Sequence, residues 1–274
     1  RPLTRAQAEL GPTTDWAPWL EGVDTLIHCA ARVHVMDKAG QADSDGFDRV
    51  NAQGTACLAQ AAAAAGVRRM IFLSTIKVNG ESATADQPFS AADVLAPQDA
   101  YARSKAAAEA ALWEVAAGSA LEVVIIRPPL VHGPGVGGNL AQLLRAVARG
   151  WPLPLGAINN QRSLIGRDNL VDGLLHCVQA PAAAGRVWLM RDAHMPSTPE
   201  LITEIATAMG KKNPLIKVPV PLIHLIGRMS GQQSRVERLL GSLCMDVRDT
   251  AEQLGWTPPV SFKDGIQQMV QGHG

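Results

Sequence analysis

Residues 68–75 read RRMIFLST. Four apolar residues follow two arginines and stop at a pair of hydroxyls, Ser74 and Thr75. A short, continuous apolar run of this kind predicts a strand covered on both faces. "VDTLIHCAA" (23–31) and "LEVVIIRPP" (121–129) repeat the pattern on either side. The intervals between them carry helical texture. "DGFDRVNAQGTACLAQAAAAAG" (45–66) ends at Gly66, and the alanine-rich "QDAYARSKAAAEAALWEVAAG" (98–118) also closes on glycine. Apolar strands alternating with crossover helices predict an α/β fold, a doubly wound parallel sheet of Rossmann type.

Beyond Pro129 the texture changes. "VHGPGVGGN" (131–139) is a glycine-rich loop, followed by helical patterns at 139–149, 167–180 and 197–209 and a strand at 185–190. The expected division is a dinucleotide-binding domain over 1–134, with 160–190 returning to its sheet, and a smaller mixed domain over 135–274 that holds substrate.

The chain has 274 residues, 47% hydrophobic and 18% charged, with a formal net charge of zero. That balance favours neither nucleic acid nor an acidic membrane surface. The four cysteines (Cys29, Cys57, Cys177, Cys244) are far apart, without metal-ligand spacing, and fit a reduced cytoplasmic compartment. The longest apolar stretch near 215–227 is short and broken by prolines, so no membrane span is expected. His28 and Cys29 sit in a buried strand and are expected in the core; Trp151, Trp188 and Trp256 are expected to pack the second domain.

Tyr101 is the only tyrosine of the chain, and Lys105 follows four residues later in "YARSK". Residues four apart share a helix face. A fixed ammonium near a phenol favours phenolate; lowering the phenol by about three units takes about 4 kcal/mol of differential stabilisation. The product is a general acid/base for neutral pH. Ser74-Thr75 ends a strand where parallel sheets bind ligands. A Ser/Thr strand end, then Tyr-x-x-x-Lys, then a strand closing in "RPP" is a specific constellation.

These motifs resemble the extended short-chain dehydrogenase/reductases, in the NAD-dependent epimerase/dehydratase group acting on nucleotide sugars. The resemblance runs through "VDTLIHCAARVHV", "RVNAQGT", "MIFLSTIKVNGE", "YARSK", "VVIIRPPLVHGPG", "NQRSLIGRDNLVDGLL" and "LGWTPP". It implies Tyr101 as acid/base, Lys105 as its electrostatic partner and Thr75 as a hydrogen-bonding group at the sugar C4 oxygen. It implies cofactor contacts from Ala30, Ala31, Arg32, Asn51, Ser74, Tyr101, Lys105, Pro129, Leu130 and Val131, with NAD or NADP as cofactor. Substrate contacts are implied at Thr75, Lys77, Asn139, Leu140 and Arg162, with a UDP-sugar as partner. Arg235 and Arg238 match the uridine end only loosely. A homodimer is typical of the group, through helices at 45–65 and 98–117.

The group opens with a strand, a glycine-rich turn, a helix and a second strand that cradle the dinucleotide. None of these appears in the sequence. "TLIHCA" then reads as the third strand, and the two absent strands are expected between it and "MIFLST". On that reading the chain is an N-terminal truncation with poor cofactor binding and doubtful activity of its own.

Three reactions share such a site: 4-epimerisation, 4-keto reduction and 4,6-dehydration. Dehydratases of the group carry Asp-Glu after the Thr, where this chain has Ile76 and Lys77. The textures "STIKVNGE" and "NQRSLIGRDNLVD" favour a UDP-4-keto-6-deoxy-amino-sugar reductase, with a UDP-sugar 4-epimerase as the alternative and a non-catalytic dinucleotide sensor as the second.

Overall fold

The structure is a computed structural model that describes residues 2–33, 44–229, 231 and 233–272. The side chains of Arg235 and Arg238 lie outside what is described. In chain order, a short helix α1 (Ala17–Leu20) leads into β1 (Thr25–His28). Next come α2 (Ser44–Phe47), a π-helical turn (Asp48–Gln53) and α3 (Gly54–Ala64), then β2 (Arg69–Leu73) and a 3-10 turn (Ile76–Val78). The long helix α4 (Ala100–Ala117) precedes β3 (Glu122–Arg127), β4 (Leu130–His132), α5 (Gly138–Ala148) and β5 (Leu164–Gly166). Helix α6 (Arg167–Gln179) and β6 (Arg186–Leu189) follow. The chain ends in α7 (Thr198–Ala208), α8 (Val220–Met229), α9 (Gln233–Leu240), α10 (Arg248–Glu252) and α11 (Phe262–Gln271).

Strands β1, β2, β3 and β6 form one parallel sheet in that order. The apolar runs that predicted strands alternate sides as strands must. Met70, Phe72, Val123 and Ile125 face α3 and α4, packing on Leu58, Ala59, Ala62, Ala108 and Leu112. Ile71, Val124 and Ile126 face the other way, onto Leu170, Leu174 and Cys177 of α6. The alanines of α3 and α4 keep both helices close to the sheet, and Gly66, at φ 74°, turns the chain out of α3 into β2.

The two absent strands were expected between "TLIHCA" and "MIFLST", but β1 pairs directly with β2, Thr25 opposite Arg69 through His28 opposite Phe72. The ladder is continuous and the His28 and Phe72 rings lie 5.5 Å apart. Instead β1 is an edge of the four-stranded sheet.

A second core joins α5, α7 and α11 through Leu140, Leu144, Val147, Ile202, Ile205, Phe262, Ile266 and Met269. Strands β4 and β5 pair in parallel beside it. His132 of β4 is buried, its Nε2 2.7 Å from Asp192 Oδ2. Asp192 Oδ1 in turn accepts from Gly166 N and Asn169 Nδ2. Trp188 and Trp256 pack beneath the main sheet rather than in the second core, and Trp151 is exposed with the Arg149 guanidinium 5.1 Å from its ring. His28 is buried and bonds Thr55 Oγ1 at 3.0 Å, but Cys29, expected beside it in the core, is exposed at the strand end.

Arg69, buried at the start of β2, reaches the carboxyl end of α6. Its Nη1 donates to Cys177 O (2.7 Å), Val178 O (3.2 Å) and Ala180 O (2.8 Å), and its guanidinium pairs with Glu122 of β3 at 2.7 Å. A cation there satisfies the carbonyls that the last helical turn leaves open.

Candidate active site

The carboxyl end of β2 delivers Thr75 in extended conformation (φ −158°, ψ 147°). Its Oγ1 accepts from Lys77 N at 3.3 Å, which caps the 3-10 turn. Helix α4 packs against this turn. Asp99 starts α4 by accepting from Ala102 N at 2.7 Å, the usual duty of an N-cap aspartate. Tyr101 therefore lies in the opening turn of α4, edge-on to Phe47 with ring centroids 6.2 Å apart.

Lys105 follows one turn later and is 1% exposed. Its ammonium stands 3.9 Å from the Phe72 ring centre. Among the described residues no side chain or carbonyl accepts a hydrogen bond from it. Burial lowers its pKa to about 7, against the pull of Glu109 and Cys29. The predicted acidification of Tyr101 is reversed in the free protein. Burial first, and then the Asp99 carboxylate, push the phenol up to about 12. The Lys105 ammonium, 3.9 Å from the Phe72 ring centre, is not among the causes.

Asn51 sits in the π-helical turn and braces the loop after β1. Its Oδ1 accepts from Arg32 N at 2.7 Å, and its Nδ2 donates to Arg32 O and to Ser104 Oγ. Ser104 Oγ donates to Tyr101 O at 2.8 Å. One chain of bonds thus runs from the 30–32 loop to the Tyr101 turn. The sequence reading passed over Ser104, although it stands within "YARSK".

Ser74 is buried and donates a short hydrogen bond to Glu109. Glu109 holds Arg127 through two bonds, to Nε at 3.0 Å and Nη2 at 2.6 Å, and Arg127 Nη1 donates to Asn79 Oδ1. Glu109 and Arg127 were also missed. A glutamate flanked by alanines within the helix and an arginine ending an apolar strand are the available signals, since buried charges pair.

Lys77 pairs with Asp99 at 2.6 Å and with Glu81 at 3.2 Å. Arg162 is half-buried, donates to Gly241 O at 3.2 Å, and has its pKa lowered by burial against an opposing pull from Glu81. Pro129 is buried, Leu130 exposed and Val131 half-buried along β4. Asn139 is exposed on the first turn of α5, whose N-cap is Gly137, while the Leu140 side chain enters the second core. The structure therefore links Arg32, Asn51, Ser104 and Tyr101 on one side and Thr75, Lys77 and Asp99 on the other, with Lys105 seated on the Phe72 ring. Asn139 makes no side-chain hydrogen bond to either set among the described residues.

A parallel α/β sheet with a Ser-Thr strand end against a Tyr-x-x-x-Lys helix defines a short-chain dehydrogenase/reductase site. The profile of the NAD dependent epimerase/dehydratase family matches residues 4–189, and the chain belongs to that family. It is 42% identical over 264 residues to a UDP-glucose 4-epimerase of Vibrio cholerae, covering 96% of this chain and 80% of the relative. It is 26% identical over 265 residues to an Escherichia coli O157:H7 N-acetyl-alpha-D-glucosaminyl-diphospho-ditrans,octacis-undecaprenol 4-epimerase, covering 92% and 78%. Among solved structures, the UDP-glucuronic acid 4-epimerase of Bacillus cereus in complex with NAD superposes with a TM-score of 0.76 at 18% identity, covering 95% and 78%, a likeness of fold. The DesIV dTDP-glucose 4,6-dehydratase double mutant of Streptomyces venezuelae, with NAD and DAU bound, gives 0.72 at 27% identity, covering 94% and 75%. The protein is an enzyme of this NAD-dependent family, and of the expected pair NAD or NADP the family's cofactor is NAD.

Proposed function

We propose that the protein is a UDP-sugar 4-epimerase. The observation that carries the reading is the 42% identity to a UDP-glucose 4-epimerase across 96% of the chain. It favours epimerisation over the 4-keto reduction that the sequence textures suggested. Dehydration lacks its Asp-Glu pair, with Ile76 and Lys77 in those places.

The residues fit a dinucleotide. Lys105 presents a buried ammonium without an acceptor among the described residues, suited to ribose hydroxyls, and Asn51 holds the backbone of the loop at 30–32 at the sheet's carboxyl end. Ala30, Ala31, Arg32, Asn51, Ser74 and Pro129 to Val131 are assigned to cofactor on this reading. Bound NAD supplies reversible two-electron oxidation at the sugar carbon.

The chain's own residues handle the rest. Tyr101 exchanges the proton of the C4 hydroxyl, and Thr75 hydrogen-bonds the same oxygen. The Lys105 cation favours the phenolate once it faces a ligand. Arg162 offers a forked donor to the diphosphate, and the Asn139–Leu140 turn opens α5 toward it. Residues 1–134 with 160–190 serve the cofactor, and 135–274 serve the sugar. The reaction is assigned to the cytoplasm, in keeping with four free cysteines. No described helix is long and apolar enough to cross a membrane. A homodimer through α2–α3 and α4 completes the proposal.

The test supplies the full-length enzyme with UDP-galactose and follows UDP-glucose. Interconversion without net NADH change, lost in Tyr101→Phe, supports the epimerase. Oxidation of NADH by a UDP-4-keto sugar, with no interconversion, returns the reductase. Tight NAD binding with neither reaction supports a sensor.

A further inference from the structure

Lys77 belongs to the turn that carries Thr75, and Asp99 is the residue that starts the helix carrying Tyr101. Their side chains meet at 2.6 Å. Asp99 is doubly engaged: Oδ1 accepts from Ala102 N at 2.7 Å, while Oδ2 takes the ammonium. The ammonium is doubly engaged as well, with Glu81 at 3.2 Å on the far side of the same turn. Glu81 in turn acts on the Arg162 guanidinium.

We infer that Lys77 is a positioning residue, a strap that fixes the Thr75 turn against the first turn of the Tyr101 helix, rather than a contact to the sugar diphosphate. This rests on the epimerase reading. An ammonium already facing two carboxylates has little net charge left for a diphosphate. The pair is also half-exposed, Lys77 at 35% and Asp99 at 42%, and pairs of that kind add little to stability. What it fixes is distance. Thr75 and Tyr101 must reach one sugar oxygen together, they come from separate elements, and a misplacement near 1 Å costs roughly 100-fold in rate.

The experiment compares Lys77→Gln, Lys77→Arg, Asp99→Asn and the double variant Lys77→Gln/Asp99→Asn in the full-length enzyme. Asn is chosen because it still caps a helix. The strap predicts that Lys77→Gln lowers kcat roughly 10- to 100-fold with KM for UDP-galactose nearly unchanged. Lys77→Arg restores most of the rate. Asp99→Asn matches the Lys77→Gln loss, and the double variant is no worse than either single. A raised KM with kcat intact in Lys77→Gln, and a wild-type Asp99→Asn, would overturn the strap and return Lys77 to the substrate.

Failure of the epimerase reading looks different. If the wild type converts no UDP-sugar, amide hydrogen exchange still decides the strap. Lys77→Gln must then lose protection at Asn79 and at Ala102 and Arg103, whose amides close the two tethered turns. Unchanged exchange at all three sinks it.

Discussion

The Lys105 ammonium stands 3.9 Å from the centre of the Phe72 ring, under the start of the helix that carries Tyr101. A ring face attracts a cation but does not replace its hydration. The cost of that burial shows as a pKa lowered from 10.5 to about 7.

The sign of the resulting pH dependence follows directly. The unfolded chain keeps the Lys105 proton up to about 10.5, whereas the folded chain releases it near 7. The folded state therefore carries the full penalty below pH 7, and stability from this group rises as pH climbs from about 7 to 10.5. Lys105→Met should be more stable than wild type at pH 6 by roughly 3–5 kcal/mol, with the gain gone at the alkaline end. Urea unfolding at a series of pH values checks both, and a pH-independent difference would refute the assignment.

Tyr101 leads to a second expectation. Burial and Asp99 hold the phenol at about 12, so it is protonated in the free enzyme at neutral pH. For a reaction that begins with phenolate, kcat/KM should increase steadily with pH above neutrality, since that ratio reports free-enzyme ionisations. Tyr101→Phe should lower turnover roughly 10²- to 10⁴-fold while NAD binding persists. Steady-state kinetics and cofactor fluorescence separate the two effects.

Glu109 and Arg127 are 2% and 4% exposed and are joined by two hydrogen bonds. Removing one partner strands the other without solvent. Glu109→Leu should cost about 3–5 kcal/mol, and adding Arg127→Met should recover part of the loss. Denaturant midpoints of the two single variants and the double variant measure this. Ser74 and Asn79 lose their partners as well, so recovery stays incomplete.

Gly265 of α11 leaves room for His132. A methyl group there would lie 2.7 Å from His132 Cε1. The ring cannot retreat, because Asp192 holds Nε2 and is itself held by Gly166 and Asn169. Gly265→Ala should destabilise by about 1–3 kcal/mol in thermal or urea unfolding.

The strands and long helices were legible because their signals are local. The "RRMIFLST", "LEVVIIRPP" and "YARSKAAAEAALWEVAAG" stretches became β2, β3 and α4 within a residue or two at most ends. The helix read over 45–66 did not stay regular. It breaks into a π-helical turn at Asp48–Gln53, set by Asn51 reaching Arg32 and Ser104, residues 19 behind and 53 ahead. Strand pairing was not legible for the same reason. Nothing within "TLIHCA" announces which strand it pairs with, and the short pair β4–β5 has only three residues a side. At the site, the Tyr-x-x-x-Lys spacing showed which residues share a helix. The direction of the phenol shift depended on Asp99 and on burial, neither of which spacing encodes.

Arg69 ties the ends of two elements that lie more than 100 residues apart in the chain. One guanidinium closes the carboxyl end of α6 and simultaneously anchors the β2–β3 margin through Glu122. Fraying of that helix would leave a buried cation facing unmatched space, so the sheet resists any partial opening there. Heating should accordingly reveal a single cooperative transition for sheet and α6, with no separate early melting of the helix.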